Sequence, residues 1–172
     1  MAPNAIQDWL PPLLCFSECD GDWNQYVEAL YAVFQRDFRG RLPDFQGRPL
    51  RLKRFPMEQG KEATFWHFIQ DGPVEADRLP NLRRCERIRW PRPIIEAHVV
   101  EGRIYLWANT RMGKSGRGEE KRWVLALPDF SYVVILADRG NFLMPWTAYE
   151  VEEPHQRRKL RKECEAYHGL PG

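Results

Sequence analysis

Residues 121–151, KRWVLALPDFSYVVILADRGNFLMPWTAYEV, constrain the fold more than any other stretch. Three runs rich in β-branched and aromatic residues alternate with turn signals of three to four residues, which predicts an antiparallel meander. The first run, Lys121–Leu127, stops at Pro128-Asp129. The second, Ser131–Ala137, stops at Asp138-Arg139-Gly140, and the third is Asn141–Val151. The middle run is almost wholly apolar, as expected of a central strand covered on both faces. In the third, Thr147 and Tyr149 sit two residues apart and so share one face.

The rest of the chain is read as what surrounds this sheet. Residues 1–20 form an irregular, Pro-rich lead-in. Asp22-Trp-Asn-Gln25 has the form of a capping box, and Trp23, Tyr26, Val27, Leu30, Tyr31, Phe34 and Phe38 recur after it at helical spacing. That predicts an amphipathic helix over Trp23–Phe38, stopped by Gly40. Gly47–Phe55 and Ala63–Gln70 read as two strands of a hairpin across Pro56–Lys61, the first with a basic face and the second carrying His67. Asp71–Pro80 reads as a polar loop. Leu82, Cys85 and Ile88 predict a short basic helix to about Arg89. Pro91 and Pro93 break that pattern, leaving a further helical turn or a loop through Ile94-Ile95. Arg103–Arg111 reads as a further strand, Met112–Glu120 as a glycine-rich tip, and His155–His168 as a charged helix. The expected class is α+β: an antiparallel sheet of about four strands with N-terminal and C-terminal helices. With 172 residues the chain suits one domain, with residues 1–40 packed on a body of 41–172.

Composition narrows the function classes. No apolar run approaches a membrane span, and the start is not a signal peptide, so the expectation is a cytoplasmic protein with no membrane partner. The four cysteines form no CxxC pair and read as free thiols; Cys15 and Cys19 lack a second zinc half-site. The net charge of +2 hides an asymmetry: residues 1–40 hold 2 basic and 6 acidic residues, the remainder 24 and 18. A basic body suits a polyanionic partner.

Gly113-Lys114-Ser115 is not a phosphate loop: it lacks the glycine five residues earlier, since position 108 is alanine, and a strand comes after it rather than a helix. Glu119-Glu120-Lys121 is the one echo of a metal-dependent nuclease core, but it precedes Asp129, the reverse of the expected order, and that reading stays only as an alternative. No metal or cofactor is called for. Taken singly, His67 reads as a core residue, Thr147 and Tyr149 as strand formers, and the arginines of 83–92 as a solvated helix face.

Together these residues fit the needs of metal-free RNA cleavage. That reaction requires proton transfer from the 2′-hydroxyl and to the 5′-oxygen, with cations or donors on the phosphorane. His67, Thr147, Tyr149 and the basic residues offer those groups. The layout resembles the Barnase–EndoU–colicin–RelE-like ribonuclease superfamily, especially its phage- and prophage-associated branches. The resemblance rests on the Phe-Trp-His67-Phe segment, the run Arg84-Cys-Glu-Arg87-Ile-Arg89-Trp90, the strand opening Lys121-Arg122, the run Tyr132–Leu136, and the terminal Trp146-Thr147-Ala-Tyr149. It implies a curved four-stranded sheet whose concave face holds RNA. His67 would be the general acid or base; Arg87, or Lys121 and Arg122, would stabilise the phosphate; Thr147 and Tyr149 would position or protonate it. Further phosphate contacts would come from Arg48, Arg51, Arg84, Arg111 and Lys114. The implied partners are RNA and, for a toxin-type enzyme, an immunity or antitoxin protein. The alternative is a non-catalytic nucleic-acid- or protein-binding module on the same fold.

Overall fold

A computed structural model describes residues 8–113 and 118–170. Lys114, a candidate phosphate contact, lies outside the described residues. The chain is α+β. Its sheet is an antiparallel meander of β5 (Tyr105–Met112), β6 (Glu119–Ala126), β7 (Tyr132–Asp138) and β8 (Leu143–Glu150), in that spatial order. All four lie within two residues of the expected bounds, and β7 is central, with Val133, Val134, Leu136 and Ala137 fully buried.

Among the described residues, four helices precede the sheet: α1 (Trp23–Phe38), α2 (Ala63–Ile69), α3 (Leu82–Glu86) and α4 (Pro91–Glu96). One comes after it, α5 (Pro154–Tyr167). Two-residue pairs join β1 (Asp44–Phe45) to β2 (Arg48–Pro49) and β3 (Gln70–Asp71) to β4 (Leu79–Pro80). The α1 start is as expected: Asp22 Oδ1 accepts the Gln25 amide at 3.1 Å. Its apolar stripe delivers Tyr26, Leu30, Phe34 and Phe38 into a core shared with Phe65, Phe68, Trp90, Leu125, Tyr132, Val134 and Leu136. Phe34 alone lies within 6.1 Å, centroid to centroid, of Tyr31, Phe38, Phe65 and Phe68.

The expected hairpin is not formed. Residues 63–69 are a helix in which every side chain is buried. A segment apolar on all sides has no period with which to separate helix from strand, and here tertiary burial decided against β propensity. The chain does double back across 56–61. The amides of Ala63 and Thr64 donate to the carbonyls of Arg54 and Lys53 at 3.1 and 3.0 Å, filling the unpaired donors of the first helical turn rather than a strand ladder. The Thr64 hydroxyl adds bonds to the Lys53 amide and carbonyl. The basic helix is shorter than expected, ending at Glu86, and Pro91 then opens α4 at a helix start, where a missing N–H costs nothing.

The sheet has two unlike faces. Trp123, Leu125, Tyr132, Val134, Leu136 and Ala148 face the four N-terminal helices. Trp107, Val124, Ala126 and Val133 face α5, with Cys164 and Leu160 packed over them. The outer positions beyond these, Asn109, Arg111, Glu120, Arg122, Ile135 and Thr147, are exposed or only half-buried.

Candidate nucleic-acid interface at the β8 edge

The geometry of the site begins with Pro145. A proline has no N–H for the ladder, so it is tolerated on an edge strand and near irregular pairing. In β8 the register slips between Ile135, paired with Thr147, and Leu136, paired with Pro145. Trp146 is the extra residue of this bulge, a device that re-aims a side chain. Its indole becomes the centre of a small cluster. The His67 ring meets it edge-on at 5.4 Å, the Arg122 guanidinium lies over it at 5.2 Å, and the Lys53 ammonium at 5.6 Å.

His67 reaches the cluster from α2. Its Nε2 is 2.9 Å from Glu75 Oε1, and the Lys53 ammonium donates to the same oxygen at 3.3 Å. Burial holds the imidazole pKa below its ordinary value of 6.5; the Glu75 bond opposes this, and the charges of Lys53 and Arg78 add to it. His67 is therefore neutral at neutral pH. The His67 bond pulls the Glu75 carboxyl down, with help from Lys53 and against its partial burial, so Glu75 is an anion and Nε2 is the donor. A cleft of about 340 Å³ opens onto His67, lined by Pro56, Trp66, Gln70, Glu75 and Arg78.

Arg84, Thr147 and Tyr149 stand together but in a different arrangement. The Arg84 Nη1 donates to Thr147 Oγ1 at 2.9 Å and to the His67 carbonyl at 3.3 Å, and the Thr147 hydroxyl donates to that same carbonyl at 3.3 Å. The pair thus closes the C-terminal end of α2, where carbonyls lack helical partners. Arg84 also bonds Asp71 at 3.2 Å and lies 5.2 Å over the Tyr149 ring. Burial raises the Tyr149 pKa, opposed by Arg84 and Arg111, so the phenol keeps its proton. Tyr149 lines a second cleft of about 360 Å³, with Asp71, Asn81, Arg83 and Glu150. His67 and Tyr149 therefore open into separate clefts, and the threonine hydroxyl between them is already bonded.

The remaining candidates divide by the pleat and by their partners. Lys121 and Arg122 are neighbours on one strand and point to opposite faces. Lys121 lies over Trp123 at 4.6 Å, away from the Trp146 cluster. Arg122 joins that cluster while bonded to Glu120 at 2.7 Å. Arg87 sits over Trp90 and bonds Glu150 at 3.3 Å, on the inner side of the sheet edge. Arg48 bonds Asp138 at 2.9 Å and the Gly140 carbonyl at 3.0 Å, tying down the β7–β8 turn. Arg51 lies over Phe142 at 4.9 Å. Arg111, opposite Glu120, is exposed on the open part of the outer face.

Two residues of the cluster, Glu75 and Lys53, carry no signal of their own in the sequence. Glu75 lies in what reads as a featureless polar loop, and no local pattern links it to His67. Lys53 is one of four basic residues in 48–54, none marked out by spacing. Trp146 belongs to the terminal motif noted in the sequence, but nothing there sets its indole at the centre of the cluster. Among the described residues, no group of three or more His, Cys, Asp or Glu side chains is placed to hold a metal ion. No described helix is long and apolar enough to cross a membrane. What the fold and this site define is an α+β protein with a cationic and aromatic patch at the edge of an antiparallel sheet. Set against known protein families, curated proteins and solved structures, the chain matches none of them.

Proposed function

We propose that this chain is a metal-independent endoribonuclease of the barnase/RelE-like, toxin type, binding RNA on the open part of the outer sheet face and cutting it beside Trp146. The observation that carries the reading is the gathering of His67, Lys53 and Arg122 around one indole. Aromatic faces hold unpaired bases and cations hold phosphates, the usual division of labour on single-stranded RNA. A neutral imidazole suits the first proton transfer. The 2′-hydroxyl gives its proton to His67 Nδ1, the ring nitrogen not engaged with Glu75, and its oxygen attacks phosphorus. The bond to the 5′-oxygen breaks, and that oxygen leaves with a proton from the Lys53 ammonium. Lys53 and Arg122 offset charge on the phosphorane. The products are a 2′,3′-cyclic phosphate and a 5′-hydroxyl. The same reading implies action in the cytoplasm and an immunity or antitoxin protein as partner.

The test is cleavage of a mixed-sequence RNA in EDTA by the wild type and by His67→Ala. Cyclic-phosphate ends from the wild type alone are expected. A rate that rises with pH below 6.5 and levels off above it would accompany them, because the base must be neutral to act and its pKa is lowered. No cleavage by the wild type, with or without metal, contradicts the reading.

A second reading, RNA binding without cleavage, is favoured by one observation. Thr147 is bonded on both sides and Tyr149 opens elsewhere, which leaves His67 without the hydroxyl groups that the resemblance assigns to its site. Salt-dependent binding that is indifferent to His67→Ala, with no cleavage, is its signature.

A further inference from the structure

Glu75 is an anion shared by His67 and Lys53, and its attachment is unusual in form. A single carboxylate oxygen, Oε1, receives both the His67 Nε2–H at 2.9 Å and the Lys53 ammonium at 3.3 Å. One oxygen held by two convergent donors, one of them cationic, is the geometry of a bound phosphate oxygen. The donors are built into the body: His67 is 5% exposed on α2, and the Lys53 backbone is tied to Thr64 at both its amide and its carbonyl. Arg78 lines the cleft that opens onto His67 and Glu75, and its charge is felt at His67.

The carboxylate, by contrast, stands on an exposed segment that carries a single 3-10 turn, Glu75–Asp77. Residues 72–78 bridge the two-residue pairing of β3 with β4, and Val74, Glu75, Ala76 and Asp77 are all exposed. The Glu75 side chain itself is half exposed. The base of the segment is the firm part. The Asp71 carboxylate accepts the Gly72 amide, and Arg78 Nε donates to the Gly72 carbonyl at 3.0 Å. Gly72 has φ of 142°, and a Cβ there would meet Arg78 Cγ at 3.3 Å, so the hinge end of the segment is a position that glycine alone suits.

We infer that the His67–Lys53 donor pair is a phosphodiester-binding subsite, and that Glu75 occupies it as an internal stand-in for the substrate phosphate. The inference rests on the endoribonuclease reading for the identity of the ligand, and on the donor geometry for the existence of the subsite. It separates two roles for Glu75. A positioning residue would hold His67 for catalysis, and its loss would slow cleavage. A stand-in competes with substrate, and its loss speeds cleavage and frees two donors for an anion. Opening needs only residues 74–77 to swing out with the carboxylate, while the β3–β4 base and the Gly72–Arg78 contact stay in place.

The experiment uses the full chain as wild type, Glu75→Ala and Glu75→Gln. Inorganic phosphate is titrated while the His67 ring signals are followed by NMR, and RNA cleavage in EDTA is measured in parallel. Glu75→Ala removes the acceptor of the buried His67 N–H, so its thermal transition should fall modestly, and all three proteins should remain folded at the assay temperature. Expected are a roughly tenfold tighter phosphate affinity in Glu75→Ala, the size of one charge-assisted contact released, with faster cleavage and an intermediate Glu75→Gln. Phosphate affinity that is unchanged or weaker in Glu75→Ala overturns the inference. If cleavage falls at the same time, Glu75 is a positioning residue and the nuclease reading survives. If no variant cuts RNA yet Glu75→Ala binds phosphate more tightly at His67, the subsite stands and the nuclease reading fails.

Discussion

The two faces of the four-stranded sheet share one alternation of side chains but differ in what covers them. The inner face meets four helices and is filled by large apolar groups. The outer face meets one helix, α5, which covers Trp107, Val124, Ala126 and Val133 and leaves the stretch from Asn109 and Arg122 to Thr147 open. The inner surface is where stability resides, since burial of apolar area is the dominant favourable term. The outer surface contributes less to stability and can therefore carry cationic and aromatic groups turned to solvent. Charge divides in the same way. Arg84 and Arg87, at the buried edge, have side chains 12% and 14% exposed and are held by several bonds each, whereas Lys53 and Arg122 are 28% and 24% exposed beside Trp146.

The contrast between the faces is sharpest where its consequences are largest. Phe34→Ala removes a fully buried ring from the inner core and should cost about 3–5 kcal/mol, read from denaturant unfolding. A loss below about 1 kcal/mol would mean that the inner face is not the main source of stability.

A smaller effect is expected at the β7–β8 turn. Burial would raise the Asp138 pKa, but bonds from Arg48, the Gly140 amide and the Trp123 indole outweigh it and hold the group down to about 2, from 3.8. Its folded pKa lies below its unfolded value. The stabilisation is therefore complete above pH 3.8 and is lost as pH falls towards about 2. Asp138→Asn should lose about 2 kcal/mol at neutral pH and flatten the acid limb of the stability profile in that window. An unchanged acid limb would show that Asp138 contributes nothing to it.

On the outer face, Trp146→Ala should leave stability nearly intact and weaken single-stranded RNA binding by about 1.5 kcal/mol, roughly tenfold, measured at fixed salt. The smallest effect belongs to Lys121→Ala. Its side chain points away from the cluster, so RNA affinity should change less than about twofold, within the range of a surface substitution. An equal loss from Lys121→Ala and Trp146→Ala would show that the two faces are not distinguished by the ligand.

These expectations also mark how far the sequence could be read. The meander, its central strand and α1 were legible because each carries a period, a cap or a turn signal within a few residues. Residues 63–69 were not, because a helix buried on every side has no polar face to reveal its period. Membership of the site was partly legible. The pairing of Thr147 with Tyr149 on one face came from strand alternation, and the same rule separates Lys121 from Arg122 once the strand is granted. What the sequence did not contain was partnership. The bonds that engage Arg84 and Thr147 at the end of α2 link residues as many as 80 positions apart, and the edge-on contact of His67 with Trp146 is nearly as long-range. Glu75 meets His67 only because a polar loop folds over α2. Such contacts are set by tertiary packing, which no local pattern records.

The most direct test of RNA binding at the outer face is to follow the tryptophan indole N–H signals while a short unstructured RNA is titrated into the wild type. Trp146 should shift strongly, together with the His67 ring, while Trp90 and Trp123 on the inner side stay in place. Shifts centred on Trp90 and the Arg83–Arg87 end, or no shift at Trp146, would contradict a ligand surface built around the Trp146 cluster.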